Sequence, residues 1–283
     1  MEEVLSSQVR HQIAEALAED IGTGDWTTLS CVDAELEGKA GIVTRQPGTV
    51  AGLEAAAAVY LQLGGAELIP EVDGGASVVE GDTLARVRGK ASAILTGERL
   101  ALNFLGHLSG VATLTRRFVD AIAGTGAKIS DTRKTTPLWR ELERAATRAG
   151  GAVNHRSGLD EMILIKENHL TCAGSIREAV RRAQSSNAHD LKIEVETTSL
   201  DDVKAALDAG VDRIMLDNMP VELVREAVGL IGDRSPGTEI EASGGITLDS
   251  VFEFAETGVD YISIGALTHS APALDLSLLI STA

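Results

Sequence analysis

Aromatic residues make up only 3% of this 283-residue chain: two Trp, two Tyr and four Phe. A core built almost without them must be filled by Ala, Val, Leu and Ile, the filling of helix-covered parallel sheets rather than of aromatic-rich sandwiches. Cysteine is nearly absent too. Cys31 and Cys172 form no CxxC pair and have no zinc-ligand spacing with the six His, so a disulfide framework or zinc site is excluded and buried free thiols in a reducing compartment are expected. No apolar run approaches the ~20 residues needed to cross a bilayer. The first twenty residues carry Glu2, Glu3, Glu15, Glu19 and Asp20 around no apolar stretch, so neither a membrane span nor a signal peptide is expected, and the location is expected to be cytoplasmic. Basic charge is scarce: 25 Lys and Arg stand against 42 Asp and Glu, a net charge of -17, with a pI near 4.7. Nucleic-acid binding, which demands a broad basic face, is thereby disfavoured.

The positive charge that does exist is concentrated. Between Asp131 and His169 seven Lys and Arg meet six Asp and Glu. Arg133, Lys134, Arg156 and Lys166, with His155 and His169, fall in this window, and most follow apolar, strand-like runs. Solubility would be served by scattered charge. The concentration points to an anionic ligand in a local pocket.

With 44% hydrophobic residues the chain can bury one large domain and a smaller one. Ser7 reads as the N-cap of a helix whose apolar positions Val9, Ile13, Leu17 and Ile21 recur at helical spacing and which ends near Gly22. Turn-punctuated β-rich runs over 39–53 and 66–87, interrupted by a helix over 54–63, predict a small sheet. A long helical pattern after Thr96, through Leu100, Phe104, Leu108 and Val111 toward Ala123, bridges to a second domain. There, short apolar runs alternate with amphipathic helices, including one over 142–148, as expected of βα units around a parallel sheet. Residues 199–216 (SLDDVKAALDAGVDRIML) and 247–264 (TLDSVFEFAETGVDYISI) form an internal repeat of capped helix, Gly-Val-Asp turn and buried strand, which supports closure of the sheet into a barrel. The expected division is 1–107 and 108–270.

Ligands of such α/β folds bind at the carboxyl ends of the strands. The residues following each buried run are Asp131-Thr132-Arg133-Lys134, Asn154-His155-Arg156, Lys166, Glu196, Asp217-Asn218, Ser243-Gly244-Gly245 and Gly265, with His269 beyond. Cations sit on the early strands, carboxylates in the middle and glycines at the end. Arg and Lys would take carboxylates or a diphosphate. Gly244, Gly245 and Gly265 would take a monophosphate through backbone N–H groups, and Glu196 and Asp217 would take Mg2+ or sugar hydroxyls. Asp217 is also a good helix entry. His11, His107 and His189 carry no constellation.

The runs DTRKTTP (131–137), GGAVNHRSGLDEMILIKENH (150–169 with Ala152 in third place), IEVET (193–197), DRIMLDNM (212–219), EASGGIT (241–247) and ISIGALTHSAPALDLSL (262–278), with ERLALNFLGHLSG (98–110), resemble the quinolinate phosphoribosyltransferases. The resemblance implies an N-terminal α/β sandwich, completed by the tail 271–283, joined to an incomplete α/β barrel. It implies a pentosyltransferase of NAD synthesis that converts quinolinate and 5-phosphoribosyl 1-diphosphate, with Mg2+, to nicotinate mononucleotide, diphosphate and CO2. It also implies dimers, or hexamers of such pairs, in which Arg99 reaches the neighbouring subunit's site. By the same resemblance Thr132, Arg133, Lys134, His155, Arg156 and Lys166 surround quinolinate and the diphosphate, while Glu196 and Asp217 face ribose and Mg2+. Ser243, Gly244, Gly245 and Gly265 hold the 5-phosphate with His269 close by, and Lys134, Lys166, Glu196 and Asp217 are the catalytic candidates. The chain departs from the family's usual residues at Leu138-Trp139, where Gly-Leu is usual, at Ala145, where Tyr is common, and at Ala152, where a third Gly is common. A related transferase using nicotinate or another aromatic acid, or a non-catalytic phosphate-binding barrel, remain the alternatives.

Overall fold

A computed structural model describes residues 5–187 and 189–282. They carry twelve strands: β1 Glu37–Thr44, β2 Gly48–Thr49, β3 Ala66–Pro70, β4 Ser77–Val78, β5 Thr83–Lys90, β6 Lys128–Ser130, β7 Ile163–Ile165, β8 Ile193–Thr197, β9 Arg213–Asp217, β10 Glu239–Ser243, β11 Tyr261–Ser263 and β12 Leu276–Thr282. The described residues fall into two compact units, one within Met1–Arg116, Thr135–Gly151 and Ala266–Ala283, the other within Arg117–Lys134 and Ala152–Gly265.

In the first unit the order β12-β1-β5-β3 forms an antiparallel sheet, with β2 and β4 paired separately. The last strand lies beside the first, Ala40 opposite Ile280 on one side and Val87 on the other. Alternation along β1 buries Ala40 and Ile42 and turns their neighbours outward. Helix Ser7–Ile21 delivers Val9, Ile13 and Leu17 to this core, and helix Leu53–Leu63 adds Leu53, Ala56, Val59 and Tyr60. Ser6 rather than Ser7 is the N-cap of the first helix, its hydroxyl accepting the Val9 N–H at 3.2 Å. The long helix runs Ala91–Ala121, starting about two and a half turns before Leu100, its first clearly periodic residue.

Helix Arg140–Ala149, which the alternation pattern places among the βα units, belongs to the first unit. Leu142 and Ala146 complete that unit's core. The pattern shows that the helix has an apolar face; it does not say which core receives it. Buried Glu143 on this helix accepts the backbone N–H and hydroxyl of Thr136, at 3.0 and 2.8 Å, and lies 2.8 Å from His107 Nε2. Trp139 stacks on Phe104 with centroids 4.7 Å apart. Both thiols are exposed, against the expectation of burial. Cys31 closes a six-residue surface helix, and Cys172 sits on helix Glu167–Ala173, which buries no residue.

Leu138, where the resembled family has Gly, adopts φ 69 and is 67% exposed. The turn keeps a glycine conformation with a leucine in it, at a cost of roughly 1–2 kcal/mol. Leu138→Gly is therefore expected to stabilise the protein by about 1 kcal/mol once glycine's looser unfolded state is subtracted. In thermal unfolding the midpoint should rise by about 2 °C, and a fall would show that no strain is stored there.

The second unit is a six-stranded parallel sheet ordered β6-β11-β10-β9-β8-β7. The first strand pairs with the last, as in a barrel, and a parallel bridge from Ser130 to Val153 extends the far side of β6. Because β7 pairs with β8 alone among the described strands, the ring stays open between Val153 and β7: this is an incomplete α/β barrel. The repeat maps onto helix Leu200–Ala209 with β9 and helix Val251–Ala255 with β11, the two strands flanking β10. Ser199 caps the first copy and accepts the Asp202 N–H, and Gly210 ends it with φ 70. The second copy's helix starts three residues later than its pattern predicts, after a turn over 248–250.

Candidate active site

Alternation along the barrel strands sorts inward-facing residues into levels. On β9 and β10, Arg213 stands opposite Glu239, Met215 opposite Glu241, and Asp217 opposite Ser243. On β8, Glu194 and Glu196 share a face two residues apart. The lowest level is an ion pair: Arg213 Nη2 lies 2.8 Å from Glu239, and its guanidinium covers the Tyr261 ring at 4.2 Å. Glu196, Asp217 and Ser243 end the same face at the carboxyl side. The strand-end residues chosen from the sequence therefore share one rim with Thr132, Arg133, Lys134, Lys166, Gly244, Gly245 and Gly265, which follow their strands directly.

The cations of this rim are held from behind. Asp131 is fully buried and grips the next loop, accepting the His155 N–H at 2.7 Å through Oδ1 and the Asn154 side-chain N–H at 2.6 Å through Oδ2. Arg156 donates from Nη1 to the Met162 carbonyl at 2.9 Å. Burial, and then the charge of Arg133, hold the Arg156 guanidinium below the ordinary arginine range, with Glu194 pulling the other way. Arg133 has a buried Nε without a hydrogen-bond acceptor. Two guanidiniums thus lie close enough to repel, and one keeps a buried donor without an acceptor, an arrangement that an anion would relieve.

Lys166 sits at the end of β7, its backbone N–H donating to His169 Nδ1 at 2.9 Å and its Nζ 2.6 Å from Glu196 Oε2. Asp217 accepts from Asn218 Nδ2 at 2.5 Å, and does not cap the following helix, whose N-cap is Pro220. Asn218 takes φ 53, and its N–H donates to the Ser243 carbonyl at 2.8 Å. This brings it against Gly244, where an added Cβ would lie 2.3 Å from Asn218 Oδ1. Gly244 and Gly245 have φ of 96 and 63, so only glycine serves at the first and is favoured at the second. Consecutive glycines here leave backbone N–H groups bare of side chains.

Below the rim lies a cluster of which strand-end reasoning found only His155. The His155 ring is 6% exposed, and its Nε2 is 3.4 Å from oxygens of both Glu194 and Glu241, which are fully buried. Burial works to lower the His155 pKa, but the two carboxylates override it and lift it to about 9. Glu194 is pushed up by burial and by the charge of Glu241; Glu241 is held down against its burial by His155, Ser263 and Arg213. His155 Nδ1 accepts the Arg156 N–H at 2.8 Å, which puts a ring proton on Nε2, facing the two carboxylates. Among the described residues His155, Glu194 and Glu241 are the group whose ligand atoms lie near enough to hold a metal ion. The sequence signal for them is the run of two Glu at i and i+2 in apolar strands, IEVET and EIEAS.

Arg99 and His269 belong to the first unit. Arg99, on the long helix, lines a hollow of about 620 Å³ with Asn103, His107, Thr136, Trp139 and Asp275. His269 is exposed, with Nδ1 2.6 Å from the Ser270 hydroxyl.

Family models for the C-terminal and N-terminal domains of quinolinate phosphoribosyl transferase match residues 111–279 and 25–109. The chain is 44% identical over 265 residues to a probable carboxylating nicotinate-nucleotide pyrophosphorylase of Synechocystis, covering 93% of this chain and 90% of that one. It is 42% identical over 273 residues to the carboxylating nicotinate-nucleotide pyrophosphorylase of Mycobacterium leprae, covering 95% and 96%. The crystal structure of NadC from Streptococcus pyogenes superposes with a TM-score of 0.94 at 35% identity, covering 99% of each chain. The nicotinate-nucleotide pyrophosphorylase of Francisella tularensis gives 0.91 at 36%, covering 99% of this chain and 98% of that one. A barrel rim carrying guanidiniums, a Lys–Glu pair and paired glycines, in a chain matched from Asp25 to Leu279 by both domain models, leads to one assignment: this protein is a member of the quinolinate phosphoribosyl transferase family.

Proposed function

We propose that this protein transfers the phosphoribosyl group of 5-phosphoribosyl 1-diphosphate to quinolinate and releases CO2 and diphosphate, forming nicotinate mononucleotide for NAD synthesis. The observation that carries the reading is the repelling pair Arg133 and Arg156, with Lys166 following β7 of the same sheet. Quinolinate has two adjacent carboxylates. At an effective dielectric near 20, each charge contact at ~4 Å is worth roughly 4 kcal/mol before desolvation is subtracted. A dicarboxylate relieves the repulsion of the pair as well as gaining those contacts, which a monocarboxylate such as nicotinate does only in part.

Glu196 and Asp217 suit Mg2+: each is engaged by its protein partner through one oxygen, and this ion is commonly held by one or two carboxylates together with substrate phosphates. When bound, it would neutralise charge on the departing diphosphate. Glu196 and Asp217 face the ribose, where their charge stabilises the oxocarbenium character that develops at C1 as the diphosphate leaves. Arg133 and Arg156 hold quinolinate with its ring nitrogen turned to that carbon, and the C–N bond forms. The quaternised ring then accepts the electron pair of the breaking C2–carboxylate bond, CO2 departs, and C2 takes a proton, for which Lys134 and Lys166 are the candidate donors. Ser243 and the backbone amides of Gly244, Gly245 and Gly265 receive the 5-phosphate.

The protein is read as cytoplasmic; no described helix is long and apolar enough to cross a membrane. It is read as a homodimer, or a hexamer of such pairs, with Arg99 of one copy completing the site of the next. Incubation with quinolinate or nicotinate, phosphoribosyl diphosphate and Mg2+, following nucleotide and CO2, tests the reading: CO2 release with quinolinate is expected, and turnover of nicotinate alone would refute it. Arg99→Ala and Lys166→Ala proteins, each inactive, should regain up to about a quarter of wild-type activity after mixed reassembly, because one site in the mixed pair is intact. Failure to complement would refute sharing of the site.

A further inference from the structure

Glu194 and Glu241 lie wholly inside the barrel and belong to no ligand set proposed above. Both oxygens of Glu194 and Oε1 of Glu241 are buried without a hydrogen-bond partner, an expensive arrangement for a purely structural pair. What the two carboxylates share is His155, whose Nε2 faces both at 3.4 Å. The opposite ring nitrogen accepts the Arg156 N–H at 2.8 Å, and the His155 N–H is fixed on Asp131. A continuous chain of contacts thus runs from two interior carboxylates, through an imidazole, to the backbone that carries Arg156. Beneath it, Arg213 Nη1 lies 3.2 Å from Glu241, and the same guanidinium is pinned by Glu239 and Tyr261.

We infer that Glu194 and Glu241 are positioning residues which, through the His155 ring, set the backbone from which Arg156 meets the quinolinate carboxylate. His155 is the link between them: its Nε2 faces both carboxylates and its Nδ1 the Arg156 N–H. A His with two Glu would also suit a divalent cation, but Arg213 against Glu241 already supplies positive charge at that spot. The inference rests on the transferase reading, since it assigns Arg156 to quinolinate.

Displacing a substrate-holding group by about 1 Å costs up to about a hundredfold. Glu241→Gln, which keeps volume and removes charge, is therefore expected to raise KM for quinolinate about tenfold or more, while KM for phosphoribosyl diphosphate stays within about threefold. Glu194→Gln should show the same split more weakly, and serves if the first variant does not fold. Quinolinate affinity by titration calorimetry should fall in parallel. A structural role alone would reduce the folded fraction, or shift both KM values together, and either result in both variants would overturn the inference, as would unchanged KM values in folded protein. Stoichiometric metal in the purified wild type, lost in Glu194→Gln, would also overturn it. Wild-type protein that neither binds nor turns over quinolinate would overturn the transferase reading and this inference with it, whereas an active wild type with unsplit variants overturns this inference alone.

Discussion

Arg156→Ala is expected to lower kcat/KM for quinolinate about a thousandfold in a protein that remains folded. Removing one partner of a buried, hydrogen-bonded charge pair costs 2–5 kcal/mol or more, and ~4 kcal/mol corresponds to that factor. The guanidinium spends Nη1 on the Met162 carbonyl, so its remaining donors can meet a carboxylate. Stability should change little: one hydrogen bond is lost, and with it the repulsion from Arg133 that burial aggravates. Arg156→Lys should recover only part of the activity, because an ammonium cannot present two parallel donors to one carboxylate. Arg133→Ala should fall in the same direction. Steady-state kinetics with quinolinate varied, beside circular dichroism and thermal unfolding, make the measurement, and a soluble variant with wild-type rates would remove Arg156 from the substrate site.

Lys166→Ala is expected to cut kcat by two orders of magnitude or more, within the range general acid–base groups contribute. It does two things at once. It removes a cation from the rim, and it leaves Glu196, whose side chain is 12% exposed, without the ammonium now 2.6 Å away. The two effects separate in a double-mutant cycle: Glu196→Gln should be deleterious alone but add little to Lys166→Ala, because the pair acts as a unit. Full additivity would mean that the ion pair seen here is incidental to turnover.

Much of the site was legible because barrel chemistry collects at strand ends, and short apolar runs mark those ends in sequence. Lys166, Glu196, Asp217, Ser243, Gly244 and Gly265 all emerge at one rim for that reason. Legibility failed for residues whose role depends on a partner far away in the chain. Glu194 is two positions from Glu196 and looks like ordinary alternation, yet its neighbours are His155 and Glu241. Asp131 reads as the first residue of a polar loop, but it is the buried clamp that ties two loops together. Leu138 stands where the resembled family usually has glycine, and only backbone geometry shows that the residue takes a glycine conformation.

The sequence by itself determined the alternation of strand and helix, the acidic surface with one basic window, and the family to which those motifs point. These are local properties: periodicity, capping and turn chemistry act within a few residues. Tertiary structure alone decided that helix Arg140–Ala149 serves the first unit's core, that β12 closes the first sheet beside β1, and that two buried glutamates stand behind the His155 ring. Each of those is a choice among partners. An apolar face or a carboxylate announces that it needs a neighbour, but which neighbour it meets is fixed only when segments more than a hundred residues apart, such as β1 and β12, are brought together.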